Sequence, residues 1–90
     1  MLFMAIATYE PEKRSEIIKR RQEKGAIEPP KGAKLIGEWN AIGGGKVFRL
    51  IDVEDPRAGF AAVLAWSDLC KIELIPVIET EEAMKLMPRK

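Results

Sequence analysis

The sequence predicts one small α+β domain, residues 1–90, with the element order β-α-β-β-α-β. Three observations support this prediction: an apolar segment at Leu2–Tyr9, a glycine turn at Gly43–Gly45 between two strand-like segments, and an Asp-Pro pair at 55 and 56 that starts a helix. With right-handed crossovers, this order gives a four-stranded antiparallel sheet with both helices on one face, the ferredoxin-like arrangement.

The first strand and first helix follow from the opening residues. Leu2–Tyr9 lacks Gly and Pro and is too short for a typical helix, which favours a central strand that is buried on both faces. Glu10–Glu12 suits a helix start, with proline in the first turn and acids at the positive end of the dipole, and Gly25 can end that helix. Because its apolar residues are essentially Ile17 and Ile18, we expect most of this helix to face water.

A β-hairpin follows the helix. Residues 26–32 contain Pro29 and Pro30 and predict an extended connection. Lys34–Ile42 and Lys46–Val53 are rich in β-branched, aromatic and aliphatic residues and predict two strands. The glycines between them can supply the positive φ values of a tight turn.

The last third of the chain predicts a helix, a strand and a short helix. The second helix is expected over 56–68, since Asp-Pro provides an N-cap and a first-turn proline. Ile72–Glu79 predicts a strand, and Pro76, which cannot donate a ladder hydrogen bond, suits a sheet edge. Thr80 is expected to cap a terminal helix that ends near Met87.

Composition excludes several classes of function. The chain has no histidine, so it lacks the usual general base near neutral pH and the commonest metal ligand, and we expect no metal site and no cofactor. Its one cysteine, Cys70, cannot form an internal disulfide and is expected to be a buried, inert thiol. A net charge of +1 provides no field for nucleic acid or an acidic membrane. The apolar run Met1–Ala7 is too short for a bilayer and lacks a signal-peptide layout, so we expect a cytoplasmic protein.

The strands are apolar on both faces, which a single copy cannot cover. Alternate residues of Leu2–Ala7 and of Ile72–Val77 are largely apolar on either side. With helices on one face only, the other face would be a larger apolar patch than soluble monomers usually expose. A second copy stacked sheet to sheet would cover it, so we predict a homodimer.

The hairpin places a polar trio on one face of the sheet. A loop of two glycines sets a register in which Glu38 lies opposite Arg49, with Asn40 on the same face, whereas Trp39 lies opposite Phe48 on the other. The trio could orient a small ligand within a mainly apolar cavity. The simpler interpretation is an ion pair that fixes strand register.

Other candidate ligand-binding residues are Glu73, Trp39 and Trp66. Glu73 lies among aliphatic residues, where a desolvated carboxylate would have a raised pKa and could act as a base, but a charge on an edge strand also discourages further strand pairing. The tryptophans could line a pocket, and packing in the core or the dimer is the simpler explanation.

Two groups of charges are expected to interact only locally. Glu16 and Arg20 have the i, i+4 spacing of an ion pair within the first helix. Asp68, near the end of the second helix, is expected to make hydrogen bonds within its own turn.

A family resemblance rests on several short segments of the chain. They are Gly37-Glu38-Trp39 leading into Gly43–Gly45, Asp55-Pro56, Trp66-Ser67-Asp68-Leu69, Glu73 and Pro76-Val77. With these, nearly the whole chain resembles a family of short bacterial and archaeal proteins known only as a domain of unknown function, related to the dimeric α/β-barrel superfamily. The resemblance implies two ferredoxin-like chains whose sheets close into a barrel, and it implies no activity. Histidine often follows the tryptophan in that pattern, whereas Asn40 does so here, so no role for such a histidine applies.

Three kinds of function remain open from the sequence. The first is a homodimer that binds a small, largely apolar molecule between helix and sheet or near the dimer axis. The second is a cofactor-independent enzyme of the monooxygenase or isomerase type, in which Glu38, Asn40, Arg49 or Glu73 would transfer protons and orient the substrate. The third is a structural adaptor, for which a solid interface without a cavity would be the sign. The sequence does not decide whether the protein is an enzyme.

Overall fold

A computed structural model describes residues 1–25 and 30–88. Its strands are β1 (Leu2–Thr8), β2 (Ala33–Asn40), β3 (Lys46–Val53) and β4 (Lys71–Pro76). Its helices are α1 (Arg14–Lys24), α2 (Pro56–Leu64) and α3 (Thr80–Leu86). The strands form one antiparallel sheet in the order β2-β3-β1-β4. The predicted ferredoxin-like α+β fold is confirmed, with β1 in the interior of the sheet and β4 at its edge.

Helix α1 begins after a short 3-10 turn at Pro11–Lys13, and Gly25 follows its last residue with a φ of 66°. The predicted end at Gly25 is confirmed, whereas the predicted start at residues 10–12 forms a 3-10 turn and the α-helix itself begins at Arg14. Most of the predicted connection that follows, residues 26–29, lies outside the described residues. No helix within 1–25 or 30–88 is long and apolar enough to cross a bilayer.

The β2–β3 hairpin has the predicted register but a different loop. Glu38 pairs with Arg49 and Trp39 with Phe48. The Ala41 N–H donates to the Lys46 carbonyl at 3.0 Å, so the loop spans residues 42–45 and not the two glycines alone. The predicted loop (residues 43–44) and the observed loop (residues 42–45) are centred on the same point of the chain. The strand register is therefore the same in both cases. Consequently β2 ends before the predicted Ile42, which is fully exposed.

A bulge in β2 lets residues before and after it share one face. Leu35 pairs with Ile51 and Gly37 with Leu50, so Ile36 is an extra residue without a partner on β3. A bulge of this kind shifts the alternation of the strand by one. Glu38 therefore lies on the same face as Leu35, and Ile36 is half exposed.

The later elements are shorter than predicted. Helix α2 is capped by Asp55, whose carboxylate accepts from the Arg57 N–H at 2.9 Å, as expected. It ends at Leu64 and not at 67 or 68, because the chain tightens into turns in which the Trp66 N–H donates to the Val63 carbonyl. Strand β4 stops at Pro76, short of Glu79. Thr80 is the first residue of α3, and the cap position belongs to Glu79, which makes no side-chain cap hydrogen bond.

Strand pairing divides the sheet into two faces. The covered face lies beneath α1 and the end of α2. The open face is the opposite one, and strand register places on it Met4, Ile6, Trp39, Phe48, Leu50 and Ile75. Two of these, Trp39 and Ile75, are 54% and 39% exposed. The Trp39 ring lies over Gly37, where a Cβ would be 2.6 Å from the ring, so the absence of a side chain there makes room for the indole.

The core of the described chain is small. Its buried apolar residues are Ile51, Val53, Ala58 and Leu69, grouped around β3, α2 and the turn that follows α2. The Cα radius of gyration is 14.9 Å, whereas a compact domain of this length has a value of about 12 Å. The chain is therefore extended for its length. Between the covered face and the helices lies a cavity.

Candidate functional site

The candidate site is a cavity of about 370 Å³ between the covered face and the two helices above it. Aliphatic side chains form most of its wall, among them Ala5, Ala7, Ile17, Val47, Ile51, Val63, Ile72 and Leu74. Its volume lies within the range of small-molecule sites, which are mainly apolar with a few placed polar groups.

The polar end of the cavity is an ion-pair cluster centred on Glu38. Arg49 Nε lies 2.7 Å from Glu38 Oε2, and Arg21 Nη1 lies 2.9 Å from Glu38 Oε1. The side chains of Glu38 and Arg49 are only 19% and 17% exposed, and that of Arg21 is 40% exposed. β-Sheet pairing brings the first two together, and α1 supplies the third from above.

Two N–H donors at this cavity lack an acceptor in the described chain. Arg49 Nη2 and Trp66 Nε1 are buried atoms without a hydrogen-bond partner. Arg49 Nε is also without a hydrogen bond despite its short contact with Glu38, because its N–H does not point at the carboxylate oxygen. An unsatisfied buried donor costs about 1–3 kcal/mol. Both Arg49 Nη2 and Trp66 Nε1 are sealed from water as their side chains stand, so an acceptor in the cavity would recover this energy once the side chains rotate toward it.

Helix α1 is tied to the rest of the domain by a second arginine, Arg20. Its guanidinium donates to both carboxylate oxygens of Asp68, at 2.9 and 2.6 Å, and to the Ala65 carbonyl at 3.1 Å. It also lies over the Trp66 ring, 5.2 Å from the centroid. These hydrogen bonds hold the pKa of Asp68 below its ordinary value and raise the pKa of Arg20. We call these contacts the Arg20 clamp.

The structure separates the predicted site residues into two groups. Glu38, Asn40, Arg49 and Trp66 all line the cavity. Trp39 lies on the open face and does not line it. Glu73 pairs with Ile6, which places it on the open face as well, exposed on the edge strand β4.

Most of helix α1 is exposed, as predicted, but its inner side includes a charged residue, Arg21, that the sequence did not assign to the site. Ile17, Ile18, Arg21 and Gln22 all line the cavity. The predicted local contacts of Arg20 and Asp68 are wrong, since these residues hydrogen bond with each other across 48 positions of sequence. Only the spacing of the two isoleucines indicated an inner side of this helix; charge spacing within the helix gave no signal of its long-range partners.

The described residues offer little for metal or thiol chemistry. Within 1–25 and 30–88, no three acidic or cysteine side chains are grouped as metal ligands would be. Cys70 is half-buried, and burial raises the pKa of its thiol, which disfavours the reactive thiolate.

Fold and cavity together define a small α+β protein with a ferredoxin-like sheet and a helix–sheet pocket. The chain belongs to the family described as Domain of unknown function (DUF3303), whose model matches residues 1–90. Comparison with curated proteins and with solved structures finds no significant match.

Proposed function

We propose that this protein binds a small, largely apolar molecule in the cavity between helices and sheet, and that it does so as a homodimer. The observation that supports binding is the cavity itself: an aliphatic wall of about 370 Å³ with a few polar groups, two of them donors without an acceptor. A structural adaptor would need no such space, and its helices would pack directly on the sheet.

The dimer part of the proposal is supported by the open face. Its centre consists of Ile6, Phe48 and Leu50, and Trp39 stands beside them half exposed. Charges of both signs lie toward its periphery, at Lys34, Lys46, Asp52, Lys71 and Glu73. An apolar centre within a mixed polar rim is typical of a protein interface, and a twofold contact needs a surface that complements itself. Sheet-to-sheet pairing of this kind is also what a relation to the dimeric α/β-barrel superfamily would imply.

The enzyme alternative has less support. Both carboxylate oxygens of Glu38 are in contact with guanidinium groups, which leaves this side chain poorly placed to accept a proton from a substrate. Glu73, the other candidate base, lies on the opposite face of the sheet. Binding needs only the apolar wall, the net positive charge of the cluster and a rotation of Arg49 or Trp66 that brings a buried donor to the cavity, and we therefore favour it.

A cavity-filling substitution tests binding. Ala62 lines the cavity from α2, whereas its neighbour Ala61 is exposed on the same helix. The neutral dye 1-aminoanthracene, titrated by its own fluorescence, is expected to bind the wild-type protein. Ala62→Phe should weaken its affinity by about tenfold or more, since a phenyl ring would occupy the space of a ligand.

Ala61→Phe is the matched control and should bind the dye like the wild-type protein. Absence of dye binding by the wild-type protein, or equal affinities for Ala62→Phe and Ala61→Phe, would contradict the proposed site. Circular dichroism and the mass in solution establish that both variants are folded.

A further inference from the structure

We infer that the ligand of the helix–sheet cavity is a small monoanion: a carboxylate, or a similar acceptor group, on an apolar body. This inference rests on the proposed function and adds the chemical class of the ligand. It follows from the charge of the cavity and from the type of group that is left unpaired there.

Charge gives the first argument. The ionised side chains that line the cavity are Arg21, Arg49 and Glu38, which sum to one positive charge. Glu38 compensates one guanidinium only, although both arginines contact it. A ligand with one negative charge would neutralise the remainder, whereas a cation would add to it.

The unpaired groups give the second argument. The two buried side-chain atoms of the described chain that have neither a hydrogen bond nor an ion-pair contact, Arg49 Nη2 and Trp66 Nε1, are both donors. A rotation of either side chain would bring its donor to the cavity, where a ligand with acceptors would satisfy it; an alkylammonium ion offers none. A carboxylate carries two acceptor oxygens, and its planar shape matches the fork of a guanidinium.

The rest of the cavity wall determines the chemistry of the ligand outside its acceptor group. Its remaining wall is mainly aliphatic, with Ala5 and Ala7 from β1 opposite Ile17 from α1. Beyond the ion-pair cluster, the polar lining residues with amide groups are Gln22 and Asn40, and both are exposed. The aliphatic part of the wall cannot hydrogen bond to a second charged or hydroxylated part of a ligand, and burying one there would be costly. We therefore assign a short aliphatic or aromatic body and a single acceptor head.

Three probes with the same chain and different heads test this inference: octanoate, 1-octanol and octylamine. Their affinities are measured by calorimetry at constant ionic strength. Octanoate is expected to bind about tenfold or more tightly than 1-octanol, because hydrogen bonds from a charged donor to a charged acceptor are the stronger kind. Octylamine is expected to bind most weakly.

Two variants test whether the preference for octanoate depends on the N–H donors of Arg49 and Trp66. Arg49→Gln should weaken octanoate binding by about tenfold or more and change that of 1-octanol little. Trp66→Phe removes one N–H and keeps an aromatic ring, and it should weaken octanoate binding about fivefold. It also keeps the test decisive if Arg49→Gln fails to fold. Lys19→Gln, on an exposed α1 residue outside the cavity, is the control for loss of a remote positive charge and should bind octanoate like the wild-type protein.

The outcomes separate this inference from the function on which it rests. If 1-octanol or octylamine binds as tightly as octanoate, or if Arg49→Gln and Trp66→Phe leave octanoate binding unchanged, the ligand class is wrong while the binding site stands. If none of the three probes binds, the proposed function itself fails.

Discussion

The covered face of the sheet holds the ion-pair cluster of Glu38, Arg21 and Arg49 beneath its helices, whereas the open face presents aromatic and aliphatic side chains to solvent. In most two-layer α+β domains, charges face water and apolar groups lie between helix and sheet. Here the helix side holds a cavity and an ion-pair cluster within an otherwise aliphatic layer, and the open face is apolar as well. This difference is the basis of the two uses that we propose: the covered face for a small molecule and the open face for a second copy of the chain.

The largest effect is expected from a charge at the centre of the open face. Phe48 lies on β3, where it is paired with Ile6 on one side and Trp39 on the other. Phe48→Glu should raise the dissociation constant of the dimer by about 100-fold or more, since it buries an unpaired carboxylate at the centre of an interface. Light scattering over a dilution series measures this change.

Phe60→Glu provides the control for that substitution. Phe60 is 64% exposed on α2, on the opposite side of the molecule from the open face. Its replacement should leave the dimer mass unchanged. Equal dissociation of both variants, or a wild-type protein that is monomeric at micromolar concentration, would remove the role assigned to the open face.

An intermediate effect is expected from the polar cluster of the covered face. Glu38→Gln leaves Arg21 and Arg49 facing each other without a carboxylate between them. It should lower the free energy of unfolding by about 2 kcal/mol, between the values for exposed and fully buried pairs. Urea unfolding measures the loss, and Glu23→Gln, on the 62% exposed partner of Lys19, should cost little. If Glu38→Gln lowers the free energy of unfolding no more than Glu23→Gln does, the cluster does not stabilise the fold.

The smallest effect is expected from the Arg20 clamp, and it depends on pH. Because the pKa of Asp68 is lowered in the folded protein, the clamp contributes stability above the unfolded pKa of about 3.9. That contribution disappears as the pH falls through the lower, folded pKa. Asp68→Asn should therefore unfold at a lower urea concentration than wild type at neutral pH, and the difference should vanish in acid.

Glu16→Gln is the matched variant for the clamp. Glu16 is the residue that helical spacing alone would pair with Arg20, whereas the hydrogen bonds of Arg20 go to Asp68 and the Ala65 carbonyl. Its replacement should leave unfolding at neutral pH nearly unchanged. A larger loss from Glu16→Gln than from Asp68→Asn would contradict the clamp.

The sequence alone predicted the features that depend on local residue pattern, such as strand register and the position of the edge strand. The pairing of Glu38 with Arg49 followed from strand alternation and an even-numbered glycine loop, and Pro76 correctly indicated an edge strand. Pattern predicted α1 on one face of the sheet but could not show what holds it there, because Arg20 and Arg21 look like solvent-facing charges until their distant partners are known. Nor does a strand with apolar residues on both sides reveal which side the helices cover, so the sequence alone leaves residues of both faces, Trp39 and Glu73 among them, as candidates for ligand binding.

The two tryptophans allow the central claim, one face for a ligand and one for a partner, to be measured directly. Trp66 lines the cavity and Trp39 lies on the open face. In Trp39→Phe, the emission of Trp66 should change when 1-octanol is added and should not change on dilution. In Trp66→Phe, the emission of Trp39 should shift to the red as the protein is diluted and should not respond to 1-octanol. If both tryptophans respond to both treatments, or if Trp39 is insensitive to dilution while Trp66 is sensitive to it, the assignment of the two faces is wrong.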